Sequence, residues 1–223
     1  MTEEAPWAEE VIVLIRTGSV GRQPVYATDG SAGCDLMVTE DFSLQPGEIR
    51  LISLDFVMAL PPGVEAQIRP RSGLSLRTAL RLPNSPGTID SDYRDPVGLL
   101  LENTYSQADL PLQLLRDPSL AFELSKPGRR LTLTQYIKEK QLDEPAVGVE
   151  DTFFQKLQVM SDLANQIIYL DAWNQPFGTL YFKKGERIAQ MVFSRYLKAR
   201  FIPCDQPENV GFDRGGGFGS TGA

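Results

Sequence analysis

Five short segments carry residue types that could do chemistry. They are Ala32-Gly-Cys-Asp-Leu36, Pro70-Arg-Ser-Gly-Leu-Ser75, Gly87-Thr-Ile-Asp-Ser-Asp-Tyr-Arg94, Gly185-Glu-Arg-Ile-Ala-Gln-Met-Val192 and the glycine-rich tail from Arg214 to Gly222. Arg71, the Ser72 hydroxyl and the Gly73 N–H are suited to phosphate oxygens, which take charge-assisted hydrogen bonds. Gly73 has no Cβ, so a ligand can approach the backbone closely. Asp90 offers a carboxylate able to take a proton from water. In the tail, Gly215 to Gly217 allow the chain to fold over a ligand, Arg214, Ser220 and Thr221 add donors, and Phe218 offers a flat face to a base. Taken singly, each segment reads first as structure: Arg-Ser-Gly as a turn, Asp-x-Asp as a solvated turn, the tail as a flexible end. Together they are the inventory for a phosphorylated aromatic ligand and an activated water.

What the chain lacks narrows that chemistry. Its 223 residues contain no His. Ser-His-Asp and Cys-His catalysis and His-ligated metal are therefore excluded. The two cysteines, Cys34 and Cys204, are too few for a zinc site and have no C-x-x-C spacing. A general base must be a carboxylate, Lys, Tyr or thiolate, and Asp90 is the natural candidate. A net charge of −7 argues against sequence-independent nucleic-acid binding. It also repels a polyanion at long range, which local Arg side chains and a divalent cation must offset. No carboxylate cluster stands out in the sequence, so a hard ion such as Mg²⁺ would ride mainly on a substrate's phosphates and waters.

The elements that must position these residues are mostly short strands. Nineteen Gly and sixteen Pro punctuate the chain. Val11–Ile15 reads as a buried strand, and strand-like runs follow at 25–28, 34–38, 49–60, 64–69, 98–103, 178–182 and 187–196. Leu44-Gln-Pro-Gly47 and Leu60-Pro-Pro-Gly63 are turns, with Pro presetting φ and Gly accepting φ > 0. This spacing predicts a β-sandwich or barrel. From about 106 to 175 the pattern becomes helical. Thr132-Leu-Thr-Gln135 is a capping box opening a helix to about Gln141. Phe153, Leu157, Met160, Ala164 and Ile167 predict a second, amphipathic helix, packed on the β body or a neighbouring chain. Met1 to Glu10 is acidic, without the apolar core of a signal peptide. No run is long enough to cross a membrane. The expected location is cytoplasmic, or the host cytoplasm if the protein is virally encoded.

The five segments, in this order, closely resemble the five motifs of the trimeric dUTPase family, over two blocks at roughly 11–105 and 177–222. The resemblance implies a mostly β fold, a distorted jelly-roll β-barrel, with residues 1–105 and 177–223 forming the barrel and its C-terminal arm. It implies a homotrimer whose three chains share each active site, and hydrolysis of dUTP to dUMP and pyrophosphate with Mg²⁺. Asp90 resembles the base that orients water toward the α-phosphorus. Tyr93 resembles the ring under the deoxyribose. Asn84, Gly87, Thr88 and Ile89 fall in the hairpin, 84–93, whose backbone reads uracil. Arg71, Ser72, Gly73 and Gln190 resemble phosphate binders from a second chain. Arg214, Phe218, Gly219, Ser220 and Thr221 resemble the mobile arm of a third. Asp35 resembles the first-motif acid, which holds metal-bound waters or supports the site as a hydrogen-bond acceptor.

Three details depart from the family pattern. Cys34 replaces an aromatic or aliphatic residue, Asp95-Pro96 replaces a Gly, and the tail is one residue shorter than usual. The largest departure is a helical insert at 106–176. Closure entropy grows only logarithmically with loop length, so a barrel should tolerate it as a lobe whose two ends stay close. The insert raises a second reading, a nucleotide-responsive interaction protein that engages a protein partner through the lobe. A third is a dCTP deaminase or deaminase–dUTPase relative.

Overall fold

A computed structural model describes residues 10–125, 130–140 and 161–211. Phe153, Leu157 and Met160 of the expected amphipathic helix lie outside the described residues, as do Arg214, Phe218, Gly219, Ser220 and Thr221 of the tail.

The architecture is mostly β. The largest sheet has five strands in the order β2-β3-β14-β7-β9, namely Val25–Tyr26, Cys34–Met37, Arg187–Arg195, Val64–Pro70 and Gly87–Ile89. A three-stranded sheet orders β5-β10-β8, Ile49–Ser53, Gly98–Asn103 and Leu80–Arg81. Two further antiparallel pairs are β1 (Leu14–Thr17) with β6 (Phe56–Ala59), and β4 (Phe42–Leu44) with β13 (Leu180–Phe182). The layered, jelly-roll character expected from the sequence is present, but none of these sheets closes into a barrel. Many strands are only two to five residues long. Several end at a Pro, Gly or Asp turn, as β4 at Pro46-Gly47, β6 at Pro61 and β1 at Gly18, before the ladder can extend around a circumference.

Alternation explains the core. On β7, Ala66 and Ile68 are buried while Glu65, Gln67 and Arg69 face outward. On β10, Leu99, Leu101 and Asn103 are buried and Leu100 and Glu102 less so. β14 breaks this period: Ile188 and Ala189 are both buried, and the register slips between Arg187 and Ala189. A bulge of this kind re-aims the side chains on either side of it. Inner faces of the sheets meet in one apolar cluster that includes Leu36, Leu44, Phe56, Ile68, Leu99, Leu101, Phe182 and Met191. Gly47 and Gly63 have φ of 74° and 83°, as the two expected turns require.

The first strand differs from expectation. It runs from Leu14 to Thr17, and Ile12 and Leu14 are 82% and 69% exposed. Its only ladder is with β6, and only Val13 and Ile15 lean on the core. An apolar run at an edge presents alternate side chains outward however apolar they are.

The middle of the chain is mixed rather than wholly helical. It holds a 3₁₀ turn at Gln107–Asp109, α2 at Leu110–Arg116, α3 at Leu120–Ser125, α4 at Leu133–Glu139 and a short helix at Ser161–Ala164; α1, Ser72–Arg77, lies earlier. The capping box is formed as expected: the Gln135 N–H donates to Thr132 Oγ1 at 3.2 Å, and the Thr132 N–H donates to Gln135 Oε1 at 2.9 Å. Ile167, expected on a helix, instead begins strand β12 (Ile167–Tyr169), paired with β11 (Arg130–Thr132). β-branched Ile167 and Ile168 favour the extended state, and the Leu133 N–H donating to the Gln166 carbonyl prolongs the ladder.

Two amides draw the stems of this region together. The fully buried Asn103 donates from Nδ2 to the carbonyls of Leu44 and Gly178, both at 2.9 Å, and its Oδ1 accepts the Tyr105 N–H at 3.1 Å. Gln107 Nε2 donates to the carbonyls of Tyr169 and Phe177, and its Oε1 accepts the Tyr169 N–H. Among the described residues, no helix is long and apolar enough to cross a membrane.

Candidate functional site

The site residues fall into two groups, one at each end of β7. The first lies on the outer face of the five-stranded sheet. Residues directly opposite in antiparallel strands share a face, and Gln190 is level with Asp35 on β3 and with Arg69 on β7. Asp35 is 9% exposed. Its Oδ1 meets Arg71 Nε at 3.0 Å, and its Oδ2 accepts from Arg187 Nη1 at 3.1 Å. Arg71 Nη1 donates to the Arg187 carbonyl at 3.1 Å. Gln190 Nε2 donates to the Pro70 carbonyl at 3.3 Å. Ser72 is exposed at the start of α1. Gly73 faces the Arg77 guanidinium, which an added Cβ would approach to 3.3 Å. The structure thus brings Asp35, Arg71, Ser72, Gly73 and Gln190 together.

The second group is the turn after β9. Gly87, Thr88 and Ile89 pair with Ile68, Gln67 and Ala66. Asn84 packs against Gly87, where an added Cβ would lie 3.2 Å from Asn84 Nδ2. Asp90 follows Ile89 and is exposed. Its carbonyl accepts the Tyr93 N–H at 3.2 Å, closing the turn. Its carboxylate has no partner among the described residues, which leaves it available to a water. Tyr93 is 39% exposed, and its hydroxyl donates to the Pro96 carbonyl at 3.2 Å, so the ring is held at the rim. Arg94 Nη1 donates to the carbonyls of Ser91 and Tyr93 and staples the turn from beneath.

The two groups do not meet within one chain. Ile89 is level with Ala66, whereas Arg71 lies beyond the far end of the strand. At about 3.3 Å per residue the separation along β7 is roughly 17 Å. That exceeds the reach of a carboxylate-held water to a phosphate bound at Arg71.

Arg187 was missed in the sequence, although its segment was singled out for Gln190. Its signal is the bulge, which turns it onto the same face as Asp35, and a bulge shows in coordinates rather than in spacing. Among the described residues no cluster of three His, Cys, Asp or Glu could hold a metal ion.

Comparison with known proteins finds related chains and a shared fold. A family model described as dUTPase matches residues 21–110. A deoxyuridine 5'-triphosphate nucleotidohydrolase of Anaeromyxobacter sp. is 45% identical over 125 residues, covering 51% of this chain and 85% of the relative. One from Thermoanaerobacter sp. is 52% identical over 129 residues, covering 56% and 85%. Among solved structures, the Staphylococcus bacteriophage 80alpha dUTPase with dUPNHPP aligns with a TM-score of 0.62 at 20% identity, covering 95% of this chain and 99% of that one. The dUTPase from phage phi11 of S. aureus, a structure visualizing a species-specific insert, aligns with a TM-score of 0.56 at 20% identity, over 87% and 96%. These two establish likeness of fold.

Proposed function

This chain belongs to the dUTPase family, and from that premise we propose that it hydrolyses dUTP to dUMP and pyrophosphate. The observation that carries the reading is the exposed, unpartnered Asp90 carboxylate on a stapled turn, with Tyr93 at its rim and an arginine-rich anion site at the other end of the same strand. Asp90 accepts a proton from water as the water oxygen bonds to the α-phosphorus. The bond from that phosphorus to the α,β-bridging oxygen breaks, and the electron pair leaves with pyrophosphate. Arg71, Ser72, Gly73 and Gln190 of a second chain hold the phosphates. Arg214, Phe218, Gly219, Ser220 and Thr221 of a third close over them.

Asn84 and the backbone of Gly87, Thr88 and Ile89 read the uracil edge. Cytosine presents a donor where the hairpin expects an acceptor, and each buried polar group left unpaired costs about 1–3 kcal/mol. Tyr93 packs under the deoxyribose.

The described residues of one chain do not fit a resident magnesium. No metal-holding cluster occurs among the described residues, and both Asp35 oxygens already serve arginines. Mg²⁺ enters this reading with the substrate, as the counter-ion of its phosphates.

A homotrimer accounts for the separation of the two groups along β7. It also accounts for apolar side chains left bare on one chain, Ile49 and Leu51 on β5 and Leu197, Phe201 and Ile202 in the segment after β14, which are 56% to 100% exposed. In this reading 1–105 and 177–223 form the catalytic body and 106–176 an inserted lobe.

The test is pyrophosphate release from dUTP with Mg²⁺, with dCTP assayed in parallel for ammonia release. Asp90→Asn is expected to lower turnover by about 10²–10⁴-fold, the usual worth of a general base, while binding of α,β-imido-dUTP persists. Absence of dUTP turnover in the unaltered protein refutes the reading.

A second reading rests on α2, where Leu112 and Leu115 are 57% and 80% exposed. Such a patch suits a protein partner engaged through the lobe. Replacing 106–175 by a short linker should leave trimer and kinetics unchanged if the lobe serves an external partner. A collapse of solubility would assign it a structural role instead.

A further inference from the structure

A carboxylate beside a phosphate-binding arginine is electrostatically costly, because it repels the phosphate that the arginine attracts. Asp35 occupies that place. It sits on β3, one strand in from the β2 edge, with its side chain only 12% exposed. Each of its oxygens is committed to a different guanidinium: Oδ1 to Arg71 Nε at 3.0 Å and Oδ2 to Arg187 Nη1 at 3.1 Å. The Arg187 carbonyl takes a further proton of Arg71, from Nη1, at 3.1 Å. Arg71 is thus held at two of its nitrogens, Nε and Nη1, and among the described residues its Nη2 has no partner, which leaves that nitrogen for a ligand. A free arginine side chain carries rotamer entropy that a ligand must otherwise overcome.

We propose that Asp35 is a positioning residue for polyphosphate binding: it aims Arg71 at the phosphates, and Arg187, itself 51% exposed, supplies the second positive charge that keeps the cluster net cationic. This extends the dUTP-hydrolysis reading and rests on it for the identity of the polyphosphate. It assigns Asp35 to guanidinium orientation rather than to metal-bound water, and it gives Arg187 a role.

The experiment compares Asp35→Asn, Arg71→Lys, their double variant and Arg187→Gln. Affinity for α,β-imido-dUTP, inorganic pyrophosphate and deoxyuridine is read by calorimetry or competition, and KM and kcat for dUTP are measured across a Mg²⁺ series. Asp35→Asn is expected to weaken α,β-imido-dUTP and raise KM about tenfold, the loss of one charge-assisted hydrogen bond. Deoxyuridine affinity, kcat and the Mg²⁺ concentration for half-maximal rate should not change. Because Asp35 acts through Arg71, the double variant should be no weaker than Arg71→Lys alone. Arg187→Gln is closer to solvent and keeps the test readable if Asp35→Asn does not fold; because its charge acts on the phosphates directly, it should weaken α,β-imido-dUTP about threefold in both the Arg71 and the Lys background.

Tighter triphosphate binding by Asp35→Asn would overturn the proposal, since the carboxylate would then only oppose the substrate. So would additive losses in the double variant, or a shifted Mg²⁺ requirement. If the unaltered protein fails to hydrolyse dUTP while Asp35→Asn still weakens pyrophosphate, the positioning role stands and the enzymatic reading falls.

Discussion

Asn103 is the residue whose removal should reach furthest. Its side chain is fully buried and makes three hydrogen bonds, two to carbonyls that belong to different segments and one from the Tyr105 N–H. Leu44 lies on β4, Gly178 at the return of the middle region, and Tyr105 at its departure. Asn103→Ala deletes all three bonds and leaves the Leu44 carbonyl and Tyr105 N–H without their side-chain partner in a dry place. At about 1 kcal/mol net per bond, with a further desolvation cost for the stranded groups, the loss is about 3–5 kcal/mol. For a chain of this length that corresponds to a melting point lowered by about 10 °C. Asn103→Asp keeps the shape but turns a carboxylate toward two carbonyl oxygens. Its folded pKa should rise above the ordinary carboxylate range, so the variant gains stability as pH falls and loses it as pH rises. Calorimetric melting of both variants between pH 5 and pH 8 provides the measurement. A shift under 2 °C for Asn103→Ala, or a melting point of Asn103→Asp that is flat in pH, would refute the assignment of this amide as the clasp of the stems.

Gly178 has φ of 97°, and a Cβ there would lie 2.1 Å from the Tyr105 ring; Gly178→Ala should therefore destabilise by several kcal/mol, and adding Tyr105→Leu should recover only the overlap part on denaturant titration. Asp55 holds the loop after β1 by accepting the N–H groups of Val20 and Gly21, both at 2.9 Å; Asp55→Ala should cost about 1–3 kcal/mol, with Asp55→Asn milder, as read by urea midpoints. Burial raises the Cys34 thiol above its ordinary 9.0 and raises the Tyr105 and Tyr136 hydroxyls above 10.0. Their stabilisation is intact below those ordinary values and is lost as pH rises through the folded ones, so melting points should fall from about pH 9 upward, with Cys34→Ala removing the earliest part. Asp41 is lowered by its hydrogen bonds from Lys183 and the Lys184 N–H; its small contribution is present above the ordinary 3.8 and lost as pH falls through the lowered value, a difference Asp41→Asn should erase in acid titration.

What could be read in the sequence was local chemistry. The Thr132/Gln135 box and the glycines of the two Pro-Gly turns need only neighbours within a few residues, and each formed as read. The segments around Arg71 and Asp90 stand out only as members of an ordered set of five, since each alone reads first as a turn. Ile167 was misread because apolar spacing alone cannot tell a helix that continues from a strand that has begun. The exposure of Leu14 was hidden for a similar reason: hydrophobicity records what a side chain prefers, not whether a partner is there to cover it. Arg187 is the clearest case. Its partner Asp35 lies 152 positions away in the chain, and only the bulge in β14 places the two side by side.

The division of the site follows from one strand. β7 is locked between β14 and β9, with Ala66 and Ile68 buried on its core face. A strand held on both edges does not bend, so the distance between its ends is a constant of the fold. Arg71 is carried by one end, and Asp90 follows Ile89, which is paired near the other. No side-chain rotation closes a gap of roughly 17 Å, and none needs to if a second chain offers its own β7 end in the opposite place. On the proposed reading, the same rigidity that leaves one protomer's site incomplete sets the spacing between base and phosphate once chains assemble. Activity should therefore depend on protein concentration in the range where the assembly dissociates. Mixing Asp90→Asn with Arg71→Ala protomers, each inactive alone, should restore part of the turnover, because some sites in the mixed assembly draw an intact Asp90 from one chain and an intact Arg71 from another. Failure of that complementation, with mixed assemblies demonstrated by sedimentation, would place both groups in one chain and contradict the register of β7 with β9.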